Sequence, residues 1–287
     1  MKTFKNIVTL FIGFLFIQFA IASDLISAKE LSKISKEKNV IVISAQKTAA
    51  YQDFHITGSI NLPPKDLTTD EPTPYTCKTP AQMAAIIGKK GVSENNTIII
   101  YDEGSSKYSG RLYWVFKYLG AKDVKILDGG IKSWQAIRKP VTKTTTKLAA
   151  TTFNLDVQKQ LLASLETVKT ATTSKSYAII DARSDSEYEG TNETQLRKGH
   201  IPNAIHVEYT SIINSDGTLK TAEEMKAIYV AKGVTPDKTV IIYCKSSVRA
   251  AIEYMALSSI LNYPNVMVYD GAFYEWEYED NTDVVGS

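Results

Sequence analysis

Short runs of consecutive apolar residues punctuate this chain. They are Val40-Ile41-Val42-Ile43, Thr97-Ile98-Ile99-Ile100-Tyr101, Val124-Lys125-Ile126-Leu127, Tyr177-Ala178-Ile179-Ile180, Val240-Ile241-Ile242-Tyr243 and Val266-Met267-Val268-Tyr269. Most do not alternate with polar residues, so both faces of each strand are expected to be covered, as in a parallel sheet. Between them lie helical stretches at 27–37, 81–89, 111–119, 222–231 and 250–261. This strand–helix alternation predicts an α/β fold of open, mainly parallel sheets with helices on both faces. The proline- and charge-rich segment 63–80 is expected to be irregular.

The pattern occurs twice. Gly91-Val92, Tyr101-Asp102, Asp128-Gly129 and Trp134 recur as Gly233-Val234, Tyr243-Cys244, Asp270-Gly271 and Trp276, at a constant offset of 142 residues. A fixed offset through several landmarks marks a duplicated unit. The boundaries read as a first domain over 24–140, a linker over 141–154 rich in Thr, Lys and Ala, and a second domain over 155–287. From Ser44 to His55 the first copy spans 11 positions, whereas Asp181 to His200 spans 19, so the second copy has a longer loop at that strand end. Loops at strand ends carry function in such sheets.

Residues 1–22 have the layout of a cleaved signal peptide. Lys2 and Lys5 precede an apolar run from Ile7 to Phe19, and Ala20-Ile21-Ala22 is a small-x-small cleavage site. The run is short for a bilayer span of about 20 residues, so no stable membrane anchor is expected. The mature protein is expected in the periplasm or secreted. Lysine plus arginine number 33 against 31 acidic residues, which gives no electrostatic case for a nucleic-acid partner.

At the end of the duplicated strand, one copy has Asp102 and the other Cys244. Cys244 opens the loop Cys244-Lys245-Ser246-Ser247-Val248-Arg249, which runs into a helix. Unpaired amides at a helix start, together with Lys245 and Arg249, favour a nucleophilic cysteine and an anionic group carried on its sulfur. The other cysteine is Cys77; a single structural disulfide between the two is the simpler alternative. No pair of histidines or cysteines has metal-ligand spacing, and no phosphate or dinucleotide loop is present, so no cofactor is expected. His55 and His200 read as turn-orienting residues, His206 as a strand surface residue, and Asp128-Gly129-Gly130 and Asp270-Gly271 as strand-to-turn punctuation.

Taken together, these residues resemble the tandem-domain rhodanese family, sulfurtransferases of the thiosulfate or mercaptopyruvate type. In the second domain the resemblance rests on Asp181-Ala182-Arg183, Tyr188-x-Gly190-Thr191, Gly199-His200-Ile201-Pro202-Asn203-Ala204, the Cys244 loop and Tyr269-Asp270-Gly271-x-x-x-Glu275-Trp276. In the first it rests on His55-Ile56-x-Gly58-Ser59-Ile60, Gly110-Arg111-x-x-Trp114 and Leu127-Asp128-Gly129-Gly130. The resemblance implies two rhodanese-like domains, the first without a nucleophile. It implies that Cys244 takes a sulfane sulfur from a small sulfur-containing anion, holds it as a persulfide within loop 244–249, and passes it to a thiophilic acceptor such as cyanide. The loop is one residue shorter than in phosphatases of this fold, which argues against phosphate chemistry.

Two departures bear on the donor. Lys245-Ser246-Ser247 matches neither the Arg-Lys of the thiosulfate enzymes nor the Gly-Ser-Gly of the mercaptopyruvate enzymes. Glu187 stands where the family tends to place a donor-binding arginine, and is expected to repel an anion; Arg197 or Lys198 are the candidates to compensate. Cys77, in Pro74-Tyr75-Thr76-Cys77, occupies a family segment that lines the interdomain cleft and is a candidate second thiol. A periplasmic carrier that delivers sulfane sulfur to a respiratory enzyme is the alternative function, and a non-catalytic interaction module a third.

Overall fold

The computed structural model describes residues 24–286 apart from positions 72 and 194. The expected signal peptide, 1–22, lies outside the described residues. Each copy forms a five-stranded sheet. The first has the order Leu25–Ile26, Asp123–Leu127, Thr97–Tyr101, Val40–Ser44, Ile60–Asn61, and every pair is parallel. The second has the same order in its own residues: Leu162–Ala163, Val266–Tyr269, Thr239–Tyr243, Tyr177–Asp181, Ala204–His206. The strand that ends at Asp102 or Cys244 is therefore central in its sheet. Parallel pairing leaves both faces to be covered, which is why Ile98, Ile99, Ile100, Val240, Ile241 and Ile242 are all fully buried.

The outer face of each sheet closes a small core of its own. Trp134 and Leu31 lie over Ile99 and Tyr101, and Trp276 and Phe273 over Ile241 and Tyr243. The inner faces merge. Ile98, Ile100, Leu112 and Trp114 of the first domain share one apolar cluster with Val240, Ile242, Ile252 and Met255 of the second. The helix Lys107–Tyr118 lies in this shared core, which explains its burial nearly all round. It crosses the helix Ala250–Met255, which continues as a π-helical turn over Ala256–Ile260. At the crossing, a Cβ on Gly110 would lie 2.7 Å from the Ile252 backbone nitrogen. Gly110 and Ile252 are equivalent positions of the repeat, so like residues meet at the crossing.

The segment read as a linker is bound to the first domain. Val141–Thr142 pairs antiparallel with His55–Ile56. Beyond it the chain runs as an extended strap, with Thr151 N–H on Gly88 O at 2.9 Å, Asp156 N–H on Leu119 O at 3.1 Å and Phe153 buried. Its lack of apolar periodicity reflects an irregular backbone fixed by hydrogen bonds. The segment 63–80 is likewise more ordered than its composition suggests, with a 3₁₀ turn at Pro64–Leu67 and a small hairpin pairing Thr68–Thr69 with Thr76–Cys77. Among the described residues, no helix is long and apolar enough to cross a membrane.

The helix crossing leads to a prediction. Backbone atoms of Ile252 cannot yield as a flexible side chain would, so Gly110→Ala should cost about 1–3 kcal/mol through overpacking. Urea unfolding would measure it, and an unchanged midpoint would mean that the helices can part without loss.

Candidate active site at the domain interface

The two loops at the strand ends differ in what fills them. In the first domain the carboxylate of Asp102 turns back into its own loop. Its Oδ1 accepts from Gly104 N–H at 2.8 Å and Ser106 N–H at 3.1 Å. Its Oδ2 accepts from Tyr108 N–H, Ser109 N–H and the hydroxyls of Ser105 and Ser109, at 3.1–3.4 Å. The loop is thus a cradle for an anion that is part of the side chain itself. In the second domain the equivalent residue is Cys244, 1% exposed.

The Cys244 loop is fixed from behind by the turn that follows strand Val266–Tyr269. Phe273 N–H donates to Cys244 O at 2.9 Å and Tyr274 N–H to Lys245 O at 3.2 Å. Ser247, in the left-handed region at φ 57°, donates its hydroxyl to Tyr269 O at 2.5 Å and Asp270 O at 3.2 Å. Ser246, Val248 and Arg249 face outward into a cleft of about 610 Å³.

Both cations of the loop are paired. Lys245 forms a salt bridge with buried Glu277 and lies over the Tyr274 ring. Arg249 makes a two-pronged pair with Glu187, at 2.5 and 2.8 Å, and is close enough to Cys244 to feel its charge. Glu187 is therefore Arg249's counterion rather than a free charge repelling the donor. Burial works against its ionisation, but Arg249 and the Ser184 hydrogen bonds prevail and hold its carboxyl down at about 2. Arg197 does not compensate as expected. Its guanidinium is bound to Glu279 O and to the hydroxyl and carbonyl of Thr282 in the C-terminal segment. Lys198 pairs with Glu193 at 2.9 Å. Neither lines the cleft. The cleft's unforeseen cations come from the first domain: Lys47, Lys65 and Lys107. Sequence reasoning missed them because they come from three separate segments, the start of helix Thr48–Asp53, the 3₁₀ turn Pro64–Leu67 and the start of helix Lys107–Tyr118, with no shared motif.

Cys77 does lie at the interface. Its N–H donates to Asp270 Oδ2 at 2.8 Å, and Arg111 Nη2 donates to its sulfur at 3.3 Å. Arg111 is fully buried, pairs with Asp270 Oδ1 at 2.5 Å and is close enough to Cys244 to feel its charge. Asp270 is thus an interdomain ligand as well as turn punctuation. Its repeat mate Asp128 does the reciprocal job, accepting from Leu219 N–H at 2.9 Å. Both cysteines are free. Burial pushes the Cys77 thiol up to about 12, against the opposing pull of Arg111, which weakens it as a resolving nucleophile.

The repeat mate of Arg111 is Glu253. It is fully buried, accepts from Tyr229 OH at 3.3 Å, and has an Oε1 without a hydrogen bond. Burial raises its carboxyl well above the usual range, and Asp181 and Cys244 add to the effect. Deeper still, Asp181 and Arg183 form a fully buried ion pair that also binds Tyr243 OH and Gly199 O, anchoring the long loop. In the first domain Ser44 and Gln46 replace it with a neutral hydrogen bond of 2.9 Å. His55 and His200 bond the carbonyls of Tyr51 and Tyr188 at 2.7 and 2.9 Å and stack on those rings, and His206, on a sheet-edge strand, bonds Arg183 O at 2.8 Å.

A rhodanese-like domain matches residues 27–137 and again residues 160–279. The chain belongs to the rhodanese family. It is 32% identical over 256 residues to the 3-mercaptopyruvate sulfurtransferase of Escherichia coli (strain K12), with 88% of each chain covered. It is 30% identical over 208 residues to the sulfur carrier protein TtuD of Thermus thermophilus, covering 68% of this chain and 73% of that one. Among solved structures, YnjE superposes with a TM-score of 0.84 at 24% identity, over 92% of this chain and 68% of that one. A persulfide form of EanB with ergothioneine superposes with a TM-score of 0.85 at 21% identity, over 92% of this chain and 70% of that one. By its family this rhodanese is a sulfurtransferase.

Two carboxyls give opposite pH signatures. The pairing of Glu187 stabilises the fold fully above the ordinary carboxyl value of 4.5, and this contribution is lost as the pH falls through about 2. The stability deficit of Glu187→Gln should therefore be largest near neutrality and shrink on acidification across that window. Glu253 has the reverse linkage. Above 4.5 the unfolded chain releases a proton that the folded chain keeps, so stability falls as pH rises. Glu253→Gln should gain on the parent by up to about 1.4 kcal/mol per pH unit over that rise. Urea unfolding of the parent and both variants at several pH values checks both slopes.

Proposed function

We propose that this rhodanese is an exported sulfurtransferase that moves sulfane sulfur from thiosulfate or 3-mercaptopyruvate to a thiophilic acceptor such as cyanide, through a persulfide on Cys244. The Asp102 loop carries the proposal. There the duplicated loop wraps six donors around a side-chain anion. A persulfide on Cys244 extends the side chain by one atom and places negative charge at the same point of the sister loop. Export is supported by the leader-like layout of residues 1–22, and the donor class by the printed name of the Escherichia coli relative.

In the first half-reaction the Cys244 thiolate attacks the donor's outer sulfur, and the donor leaves with the electron pair of its own sulfur bond. From thiosulfate this leaves sulfite. In the second, the acceptor attacks the outer sulfur of the persulfide, the S–S bond breaks, and its electron pair returns to Cys244. No oxidant or reductant is consumed. Arg249, held by Glu187, lies beside the sulfur throughout and offsets its charge. Lys47, Lys65 and Lys107 supply unpaired charge to draw the anionic donor into the cleft.

A carrier role, with Cys244 delivering sulfur to a protein acceptor, is the second reading. It is favoured by the pairing of both loop cations, which reduces the pull on a small donor, and by the printed name of the Thermus relative.

Treatment with thiosulfate should add the mass of one sulfur atom to the protein, on the peptide that contains Cys244, and cyanide should remove it. Cys244→Ala should neither gain this mass nor form thiocyanate above background. Sulfur transfer retained in that variant would overturn the assignment. Fast persulfide formation with slow turnover to cyanide would favour the carrier role.

A further inference from the structure

The cleft beside the Cys244 loop is larger than a small inorganic donor needs. At about 610 Å³ it falls in the range that holds drug-sized ligands, whereas thiosulfate is only the size of sulfate. The cleft also has an extension. Thr48 lines both it and a second hollow of about 400 Å³, set on the first domain between helix Thr48–Asp53, the end of helix Pro80–Lys89 and the strap. The two hollows adjoin at Thr48, and the nearer one is flanked by Ser246, Val248 and Arg249; we refer to the pair as the groove.

The groove has one dominant sign. Lys47, Lys65 and Lys107 line the near end, and Lys89, Lys90 and Lys147 the far end. Two acids oppose these lysines. Asp66 lies 3.9 Å from Lys90, and half-buried Glu103 is within electrostatic reach of Lys47 and Lys107. Arg249 adds no net charge because Glu187 neutralises it. The chain as a whole is only +2, so this concentration of positive charge is local to the groove. Between the lysines, Pro63, Pro64 and Tyr75 give the near end an apolar floor.

Two adjoining cationic hollows, the nearer beside the Cys244 loop, fit an extended chain with negative side chains and a reactive terminus. We infer that the groove binds an acidic polypeptide segment of a protein sulfur acceptor and leads its thiol to Cys244. This rests on the reading of Cys244 as the sulfur carrier. The acceptor thiol attacks the outer sulfur, the Cys244 S–S bond breaks with its electron pair staying on Cys244, and the acceptor becomes a persulfide that keeps the proton of its thiol. A polypeptide is favoured over nucleic acid because the transfer needs a thiol, and the apolar floor suits side chains.

The test uses two synthetic peptides, one of glutamate residues and one of lysine residues, each ending in cysteine, with cyanide as a small acceptor. With protein loaded from thiosulfate, the glutamate peptide should be the better acceptor by at least about tenfold in kcat/KM at low salt. That preference should vanish near 1 M salt, where the Debye length is roughly 3 Å. Lys89→Glu combined with Lys147→Glu, at the far end, should remove most of the preference and leave turnover with cyanide unchanged. Equal efficiency for the two peptides, or a preference that survives the double variant, would overturn the inference.

Binding is read separately by fluorescence anisotropy of the labelled peptides on Cys244→Ala, so the groove can be judged even if no sulfur is ever found on Cys244. Tighter binding of the glutamate peptide supports the groove. Its displacement by single-stranded DNA at equal concentration overturns the assignment to polypeptide.

Discussion

The rest of the structure depends on the close crossing of two equivalent helices. Gly110 gives up its side chain so that the backbone at Ile252 can approach, and this contact lets the inner faces of both sheets share one core. With that core formed, the loops at the two central strand ends are held against the opposite domain. Two reciprocal hydrogen bonds fasten the arrangement, Asp270 to the Cys77 amide and Asp128 to the Leu219 amide. The two bonds are repeat mates of each other, Asp128 matching Asp270 and Leu219 matching Cys77, and at the helix crossing Gly110 meets its own equivalent, Ile252. The domains therefore meet like with like, and the active cleft follows from that symmetry rather than from any single loop.

The chemistry comes from where the symmetry breaks. Three exchanges matter, each at matched positions: Asp102 for Cys244, Ser44 for Asp181, and Arg111 against Glu253. The first fills one cradle with a permanent carboxylate and leaves the other with a sulfur. The second gives the Cys244 domain a buried ion pair, whose cost of desolvation is met by Tyr243 and Gly199. The third places a buried guanidinium near Cys244 from the opposite domain and a buried carboxyl behind it. The hollows beside the loops follow suit. The one at the Cys244 loop is about 610 Å³, while the one at the Asp102 loop is about 240 Å³, narrowed where Gly217 meets Gly104.

Regular elements were legible in the sequence because they obey local rules. Unbroken β-branched runs gave central strands, and helix 222–231 was read to the residue because Thr221 and Glu224 form a reciprocal cap and Gly233 follows. Short edge strands such as Leu25–Ile26 and Leu162–Ala163 were not read, since two residues carry no periodicity. The ordering of the linker is illegible for a different reason: a segment held through its backbone leaves no mark in its side chains, so its Thr- and Lys-rich composition marks a linker without showing that it is bound to the first domain. Cys244 and its loop were visible through the repeat. The partners of that loop were not, because Glu187, Glu277, Arg111 and the cleft lysines are brought together only by tertiary packing.

That distribution of charge bears on how the site selects what it acts on. Beside the sulfur, each cation has its own carboxylate, so the loop offers fixed hydrogen-bond geometry with little net field. Such a pair resists screening and holds its orientation, but it attracts little from a distance. The lysines of the cleft lie on the other domain, Lys47 and Lys65 exposed and Lys107 half-buried at a helix start, and none of the three forms a salt bridge among the described residues. Attraction and chemistry are thus separated across the interface. In the proposed function the first domain gathers anions and the second reacts with them, while the Gly110–Ile252 contact, the shared core and the two reciprocal hydrogen bonds hold the domains at working distance. A first domain that has given up its own nucleophile is free to vary its loops without disturbing the Cys244 cradle, which is a physical reason for a sulfurtransferase to keep a second copy that carries no cysteine at its strand end.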